Sequence, residues 1–305
     1  MILYKYITYE CALKILLEQR FRYTQPYSFN DPFELYPCVE EYFNNEQFEE
    51  ILDLVIQPNS LEEHLNKTIL DAYDKLNEFQ KAIIPYQQYY SIQKVRVEQE
   101  IEKSKLPLKE LIKANFEKYN VKEMMNIEYH KLLNSLVGIF SLSENENNIL
   151  MWSHYTNSHT GVIIKINADK NYFEYLDKVN YTIGRPKVKF SKRVYTTEES
   201  LEVYKKVFFN KYLGWSYESE YRDMKPLIKG YNSGEVDKHG FPIILFDFPI
   251  EIIEGIIFGV RVTDDKITEF ISQIEKKYSS LTYEIATLNP DIFELDIYQV
   301  SKNNI

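Results

Sequence analysis

The sequence predicts an α+β protein with a mostly antiparallel β core and one helical insertion, in a single domain over residues 1–305. Three observations lead there. The chain starts and ends in short, β-branched and aromatic runs bounded by turn residues. Between about 40 and 136 it has no glycine and is rich in Glu, Lys, Gln, Leu and Ile at helical apolar spacing. All nine glycines lie at or beyond Gly138, where the strand texture resumes. Strands grouped around a block of helices give α+β, not an alternating α/β sheet.

Taken in order, "ILYKYI" reads as a strand. "TYECALKILLEQ" reads as a helix with Thr8 as N-cap, and "RFRYTQPYSF" as a strand that Pro26 ends or confines to an edge. "NDPFE" is a turn, with Asn30 and Asp31 able to bond their own backbone and Pro32 fixing the next φ. The insertion offers "EQFEEILDLVI", "LEEHLNKTILDAYDKLNEFQKAI" and "VKEMMNIEYHKLLNSL" as amphipathic helices, with Pro58, Pro85 and Pro107 as breaks. "VGIFSLS", "TGVIIKI", "KVNYT" and "PKVKFS" are strands, and "ILMWSHYT" a short helix or turn. "TTEESLEVYKKVFFNKYL" is a helix capped by Thr196 or Thr197, with Glu198 and Glu199 at its positive end. "WSYESEYRDMKPL" reads as one strand, with Glu218, Glu220 and Arg222 on one face and Trp215, Tyr217, Ser219 and Tyr221 on the other. "FPIILFDFP" and "IEGIIFGV" are apolar strands, and "TDDKITEFISQIEKKY" is a helix. "TYEIATL" and "FELDIYQV" close the chain.

The 305 residues, 44% hydrophobic and 15% aromatic, suffice for a large core. A net charge of −10 argues against a general nucleic-acid binder. No stretch has the length and apolarity of a transmembrane helix, and the N-terminus lacks the features of a signal peptide. Cys11 and Cys38 form no CxxC site, so a reducing cytoplasm is the expected location. The absence of GxGxxG and GxxxxGK[ST] removes the common glycine-dependent phosphate cradles. It leaves open a fold that holds a dinucleotide through side chains.

Four stretches carry candidate chemistry: "YKY" around Lys5, "SFNDPFE", "MWSHYTNSHTGV" and "WSYESEYR". His154 and His159 lack the spacing of HExxH, so no metal site is assigned. Ser153 lacks the GxSxG context of a hydrolase nucleophile. Arg222 is suited to pair with a carboxylate such as Asp31 or Glu34. The residues Asn30, Asp31, His154, Tyr155, Glu218, Glu220 and Arg222 are expected to surround one cleft.

Together "ALKILLEQRFRYTQPYSFNDPFE", "IFSLSENENNILMWSHYTNSHTGVIIKI", "WSYESEYR" and "IEGIIFGV" resemble the bacterial family of domain of unknown function 2971. A second resemblance is to ADP-ribosyltransferases: strand, helix, strand at the start, a hydroxyl-rich middle strand, and a later E-x-E. That likeness implies NAD as substrate, cleavage at the nicotinamide–ribose bond, and transfer to a protein or nucleic-acid acceptor. It implies Glu220 as the carboxylate that stabilises an oxocarbenium-like centre, Glu218 as the group that orients the acceptor, and His154 as a further catalytic candidate. Lys5 stands where those enzymes present Arg or His, with Tyr6 beside it. Ser141 falls in the stretch like their Ser-Thr-Ser motif. A tyrosine or histidine near "MWSHY", Tyr155 or His154, is the candidate to stack on the nicotinamide, and Trp152, Asn30, Asp31 and Arg222 are further NAD-contact candidates. Family analogy adds a toxin or an antiviral defence component as the setting. Two other readings stay open: a non-enzymatic binding or regulatory module with the insertion as its partner surface, and a nucleic-acid hydrolase holding a divalent cation through Asp31, Glu34, Glu218 and Glu220.

Overall fold

The computed structural model describes residues 1–43, 45–55, 62–118, 121–169, 171–190 and 196–300. Within these the chain divides into two compact units. One comprises Met1–Cys38, Ile127–Val188 and the residues from Thr196 on; the other comprises Val39–Asn126 with a short piece from Lys189.

The first unit is built on an eight-stranded sheet. Its order is Leu295–Gln299, Thr282–Leu288, Ile253–Phe258, Val162–Asn167, Ile2–Ile7, Val137–Ser143, Glu220–Pro226 and Asp177–Lys178. Every pairing in it is antiparallel except Ile253–Phe258 with Thr282–Leu288. The α+β class with a mostly antiparallel sheet therefore holds. The first strand is internal, flanked by Val162–Asn167 and Val137–Ser143. One core cluster joins Leu3, Val162, Ile164 and Ile166 of the sheet to Ala12 and Leu16 of the helix Tyr9–Glu18, and to Ile267, Phe270, Ile271 and Ile274 of Asp264–Ile274. Both helices present their apolar stripe to it, as their spacing dictates.

The local signals act largely as read. The Thr8 hydroxyl accepts from the Cys11 amide, and Thr196 forms a full capping box with Glu199. "ILMWSHY" is a helix, Ile149–Tyr155, capped by Asn148. "RFRYTQPYSF" is strand only over Arg20–Arg22, followed by a 3-10 turn over Pro26–Ser28.

The second unit contains the helices Asn45–Val55, Glu62–Asp74, Glu78–Ile83 and Tyr86–Lys118. Asn77 and Gln80 form a capping box that splits the long apolar-periodic stretch into two helices. Pro85 precedes a helix, as a break should. Pro107 is not a break: it lies inside the 33-residue helix Tyr86–Lys118. A proline removes one backbone donor, and a helix of that length retains enough other bonds to continue through it. Pro58 lies outside the described residues.

Candidate functional site

The stretch "WSYESEYRDMKPL" is not one strand. Leu213–Glu218 is a 3-10 helix, Ser219 is left-handed at φ 44°, and only Glu220–Pro226 is extended. Period-2 alternation therefore applies from Glu220 onward, and Glu218 reaches the same place by a turn. The Ser219 amide bonds the Ser216 carbonyl, and the Ser143 hydroxyl donates to the Glu218 carbonyl at 2.7 Å. Left-handed serine is uncommon, so these bonds hold a turn that the residue would not choose alone. In the sheet register Ser143 is the partner of both Tyr4 and Glu220, which brings the start of the chain beside a strand some 200 residues later.

The result is a buried charge cluster. Lys211 donates to Glu218 at 2.6 Å and to Glu220 at 3.0 Å, and lies 3.4 Å from Glu34. Arg222, fully buried, grips Glu220 through Nε at 2.8 Å and Nη2 at 3.1 Å, pairs with Glu34, and donates through Nη1 to the Phe208 carbonyl at 2.7 Å. The Tyr155 hydroxyl donates to Glu218 at 2.5 Å, and the Asn30 amide reaches the Tyr155 oxygen at 3.3 Å. The Glu220 amide donates to the Tyr181 hydroxyl at 2.8 Å. The expected pairing of Arg222 with Glu34 is thus present, and it supplies the counter-charge that burial demands.

Burial pushes the Glu220 carboxyl up, against the pull of Lys211. Burial alone would lower Lys211, but the Glu220 and Glu218 carboxylates reverse this and hold its ammonium above the usual value. Burial, then Glu218, keeps Tyr155 protonated and a donor. Three glutamates against two cations leave an excess of negative charge on the cluster.

That excess faces a cavity of about 260 Å³, lined by Glu34, Lys211, Glu218 and Glu220, by Tyr155 and Asn30, and by Lys5, Tyr6 and Ser141. In the same lining, the Lys5 ammonium donates to the Ser141 carbonyl at 2.8 Å and lies 4.7 Å from the centre of the Phe140 ring. Burial lowers its pKa to about 8, against the opposing pull of Glu220 and Glu218. Arg22, Thr24, Ser28 and Ser143 also line the cavity. Arg22 pairs with Asp237 at 2.6 Å, while its buried Nε has no protein partner among the described residues.

Not every candidate reaches this cavity. His154 is exposed on the last turn of its helix and does not line it. Trp152 is fully buried, meets Tyr6 edge-on at 5.4 Å and donates to the Glu146 carbonyl, so it is a core residue. Asp31 caps its own turn through the Phe33 amide and lines a neighbouring cavity that also touches Glu34. Arg222 lies behind the carboxylates as their counter-charge.

The sequence did not point to Lys211 or Arg22, and it offered Glu34 as a partner for Arg222 or as one of four cation-holding carboxylates, not as a wall of this cavity. Lys211 sits in a three-residue strand after a helix already rich in lysine, so no local pattern marked it. Arg22 alternates with Arg20, as any exposed strand arginine would. Of the four carboxylates of the hydrolase reading, Glu34, Glu218 and Glu220 are ion-paired with Lys211 or Arg222, while Asp31 accepts from the Phe33 amide. Among the described residues no group of His, Cys, Asp and Glu is arranged to hold a metal ion, and no helix is long and apolar enough to cross a membrane.

Fold and site define an α+β protein with a charge-paired carboxylate cluster walling a polar cavity. Residues 151–222 match the family model described as "Protein of unknown function (DUF2971)", a stretch that holds Tyr155, Lys211, Glu218, Glu220 and Arg222. No curated protein and no solved structure matches the chain.

Proposed function

We propose that the chain is an ADP-ribosyltransferase-like enzyme that takes NAD into the cavity between Lys5 and the Glu218–Glu220 pair and cleaves it at the nicotinamide–ribose bond. The observation that carries this reading is the division of charge in one cavity. Lys5 and Arg22 offer cations to a diphosphate, and two buried glutamates offer negative charge to a reacting centre.

In the reaction the C1′–N bond breaks and its electron pair leaves with nicotinamide. The sugar centre becomes positive, and Glu220, fixed by Arg222 and Lys211, stabilises it without moving. An acceptor hydroxyl or water then bonds C1′ and gives its proton to Glu218. The logic is that of glycoside cleavage, with preorganised charge as the main contribution.

The test is nicotinamide release from NAD by the purified protein. Glu220→Gln keeps shape but removes charge, and release is expected to fall about 100- to 1000-fold. Circular dichroism and a melting curve establish that the variant folds. Lys5→Gln, outside the buried ion pairs, is the second probe, with a raised KM as its expected signature. No release by the wild type would sink the enzymatic reading. Saturable NAD binding without release would favour the binding-module alternative, which draws support from the full pairing of both glutamates.

A further inference from the structure

A second cavity of about 320 Å³ lies in the same unit and touches the first through Glu34 and Lys211. Its wall is of a different kind. The turn 31–37 contributes Phe33 and Tyr36, the loop 182–186 contributes Ile183 and Arg185, and the segment 206–215 contributes Tyr212 and Trp215.

Several of these side chains stand in water at a cost. Phe33 is 62% exposed, Tyr212 56% and Ile183 81%. Single exposed apolar residues are ordinary, but three around one concave mouth mark a ligand site. Cations accompany the rings. The Arg185 guanidinium lies 5.6 Å from the centre of Phe33 and 5.3 Å from that of Tyr36, and it donates to the Tyr36 carbonyl at 2.6 Å. The Lys211 ammonium lies 5.3 Å from the Trp215 ring, and Lys206 is also in the lining. Flat aromatic faces beside cations suit a planar ring that carries an anionic group. The size suits one nucleotide unit and not a folded partner.

We infer that this second cavity binds a nucleobase on a phosphorylated sugar, with the base against Phe33, Tyr212 and Trp215 and the phosphate toward Arg185. This goes beyond NAD cleavage and does not require it: nucleotide binding here can hold whether or not nicotinamide is released. The base comes either from a free nucleotide or from a nucleic-acid strand. Both share the same ring and phosphate chemistry.

Trp215 supplies the readout. The other tryptophan, Trp152, is fully buried and gives a constant background. Titration of the full chain with AMP, and separately with a single-stranded tetranucleotide, is expected to change Trp215 emission saturably. The change should vanish in Trp215→Phe, while equilibrium dialysis still shows binding. Phe33→Ala, at an exposed position that leaves folding intact, is expected to weaken binding about 5- to 100-fold, the effect of one lost base–ring stack. Arg185→Gln is expected to weaken it and flatten its salt dependence. Saturation with AMP points to a free nucleotide, and saturation with the oligonucleotide alone points to a strand. If neither probe saturates in emission or dialysis, or if Phe33→Ala binds as tightly as the wild type, the assignment is overturned.

Discussion

Arg222 shows how one side chain can hold a site together without lining it. It is fully buried and bonds Glu34, Glu220 and the Phe208 carbonyl, which lie in three separate parts of the chain. Removing one partner from a buried pair leaves an uncompensated charge, which is far costlier than loss of a surface pair. Arg222→Met is expected to cost about 3–5 kcal/mol in urea denaturation. Glu34→Gln combined with Arg222→Met should cost less than the sum of the two single changes, because the residues share one network. A full additive loss would show that the two side chains act independently.

At the scale of elements, the turn after the helix Ile149–Tyr155 decides whether Tyr155 can reach Glu218. Asn157, Ser158 and His159 all have positive φ, and the chain then enters its strand through Gly161. A Cβ at Gly161 would lie 2.3 Å from the Ile7 carbonyl oxygen and 2.9 Å from the Thr156 Cβ. The carbonyl belongs to the first strand, which pairs with Val162 at that row and cannot give way without loss of register. Gly161→Ala is therefore expected to destabilise by about 1–3 kcal/mol, the usual cost of overpacking. On the proposed enzymatic reading it should also lower nicotinamide release by displacing Tyr155. Thermal melting and nicotinamide release check the two effects separately. The left-handed Ser219 plays the matching part on the other side of Glu218. That turn is why an E-x-E stretch that reads as a strand places its two glutamates by different routes.

Across the whole molecule, the cavity's charges set a pH response. On the proposed NAD reading Lys5 attracts the diphosphate only when protonated, and burial lowers its pKa to about 8. The kcat/KM for NAD is expected to fall as pH rises through about 8. It should also fall on the acid side as Glu220, raised by burial, takes up a proton. Lys5→Arg, which keeps its charge, should remove the alkaline limb. An unchanged limb in that variant would show that Lys5 is not the group responsible. Stability moves in the opposite sense. The folded value lies below the ordinary lysine value of 10.5, so the unfolded chain binds the proton more tightly between the two. Stability contributed through Lys5 therefore rises with pH across that window. The difference in melting temperature between wild type and Lys5→Met should show this.

The sequence by itself determined the elements whose information is local. Thr8 and Thr196 cap the helices they were expected to cap, and the apolar runs around Ile163 and Ile256 form the central strands. The α+β class follows from those elements. Part of the site was legible as well, because a buried arginine needs a carboxylate and "NDPFE" offered one to Arg222. Only the tertiary structure decided the rest. Period-2 spacing cannot show that Ser219 turns left-handed, since that depends on bonds made by Ser143 and Glu144 from another strand. Nor could it bring in Lys211, whose role exists only because Glu218 and Glu220 are buried beside it. It could not separate His154, which faces solvent, from Tyr155, which faces the cavity. Helix and strand formation depends on neighbours a few residues away. Charge pairing in a buried site depends on which distant segments share a desolvated space, and that is fixed by the register of the sheet.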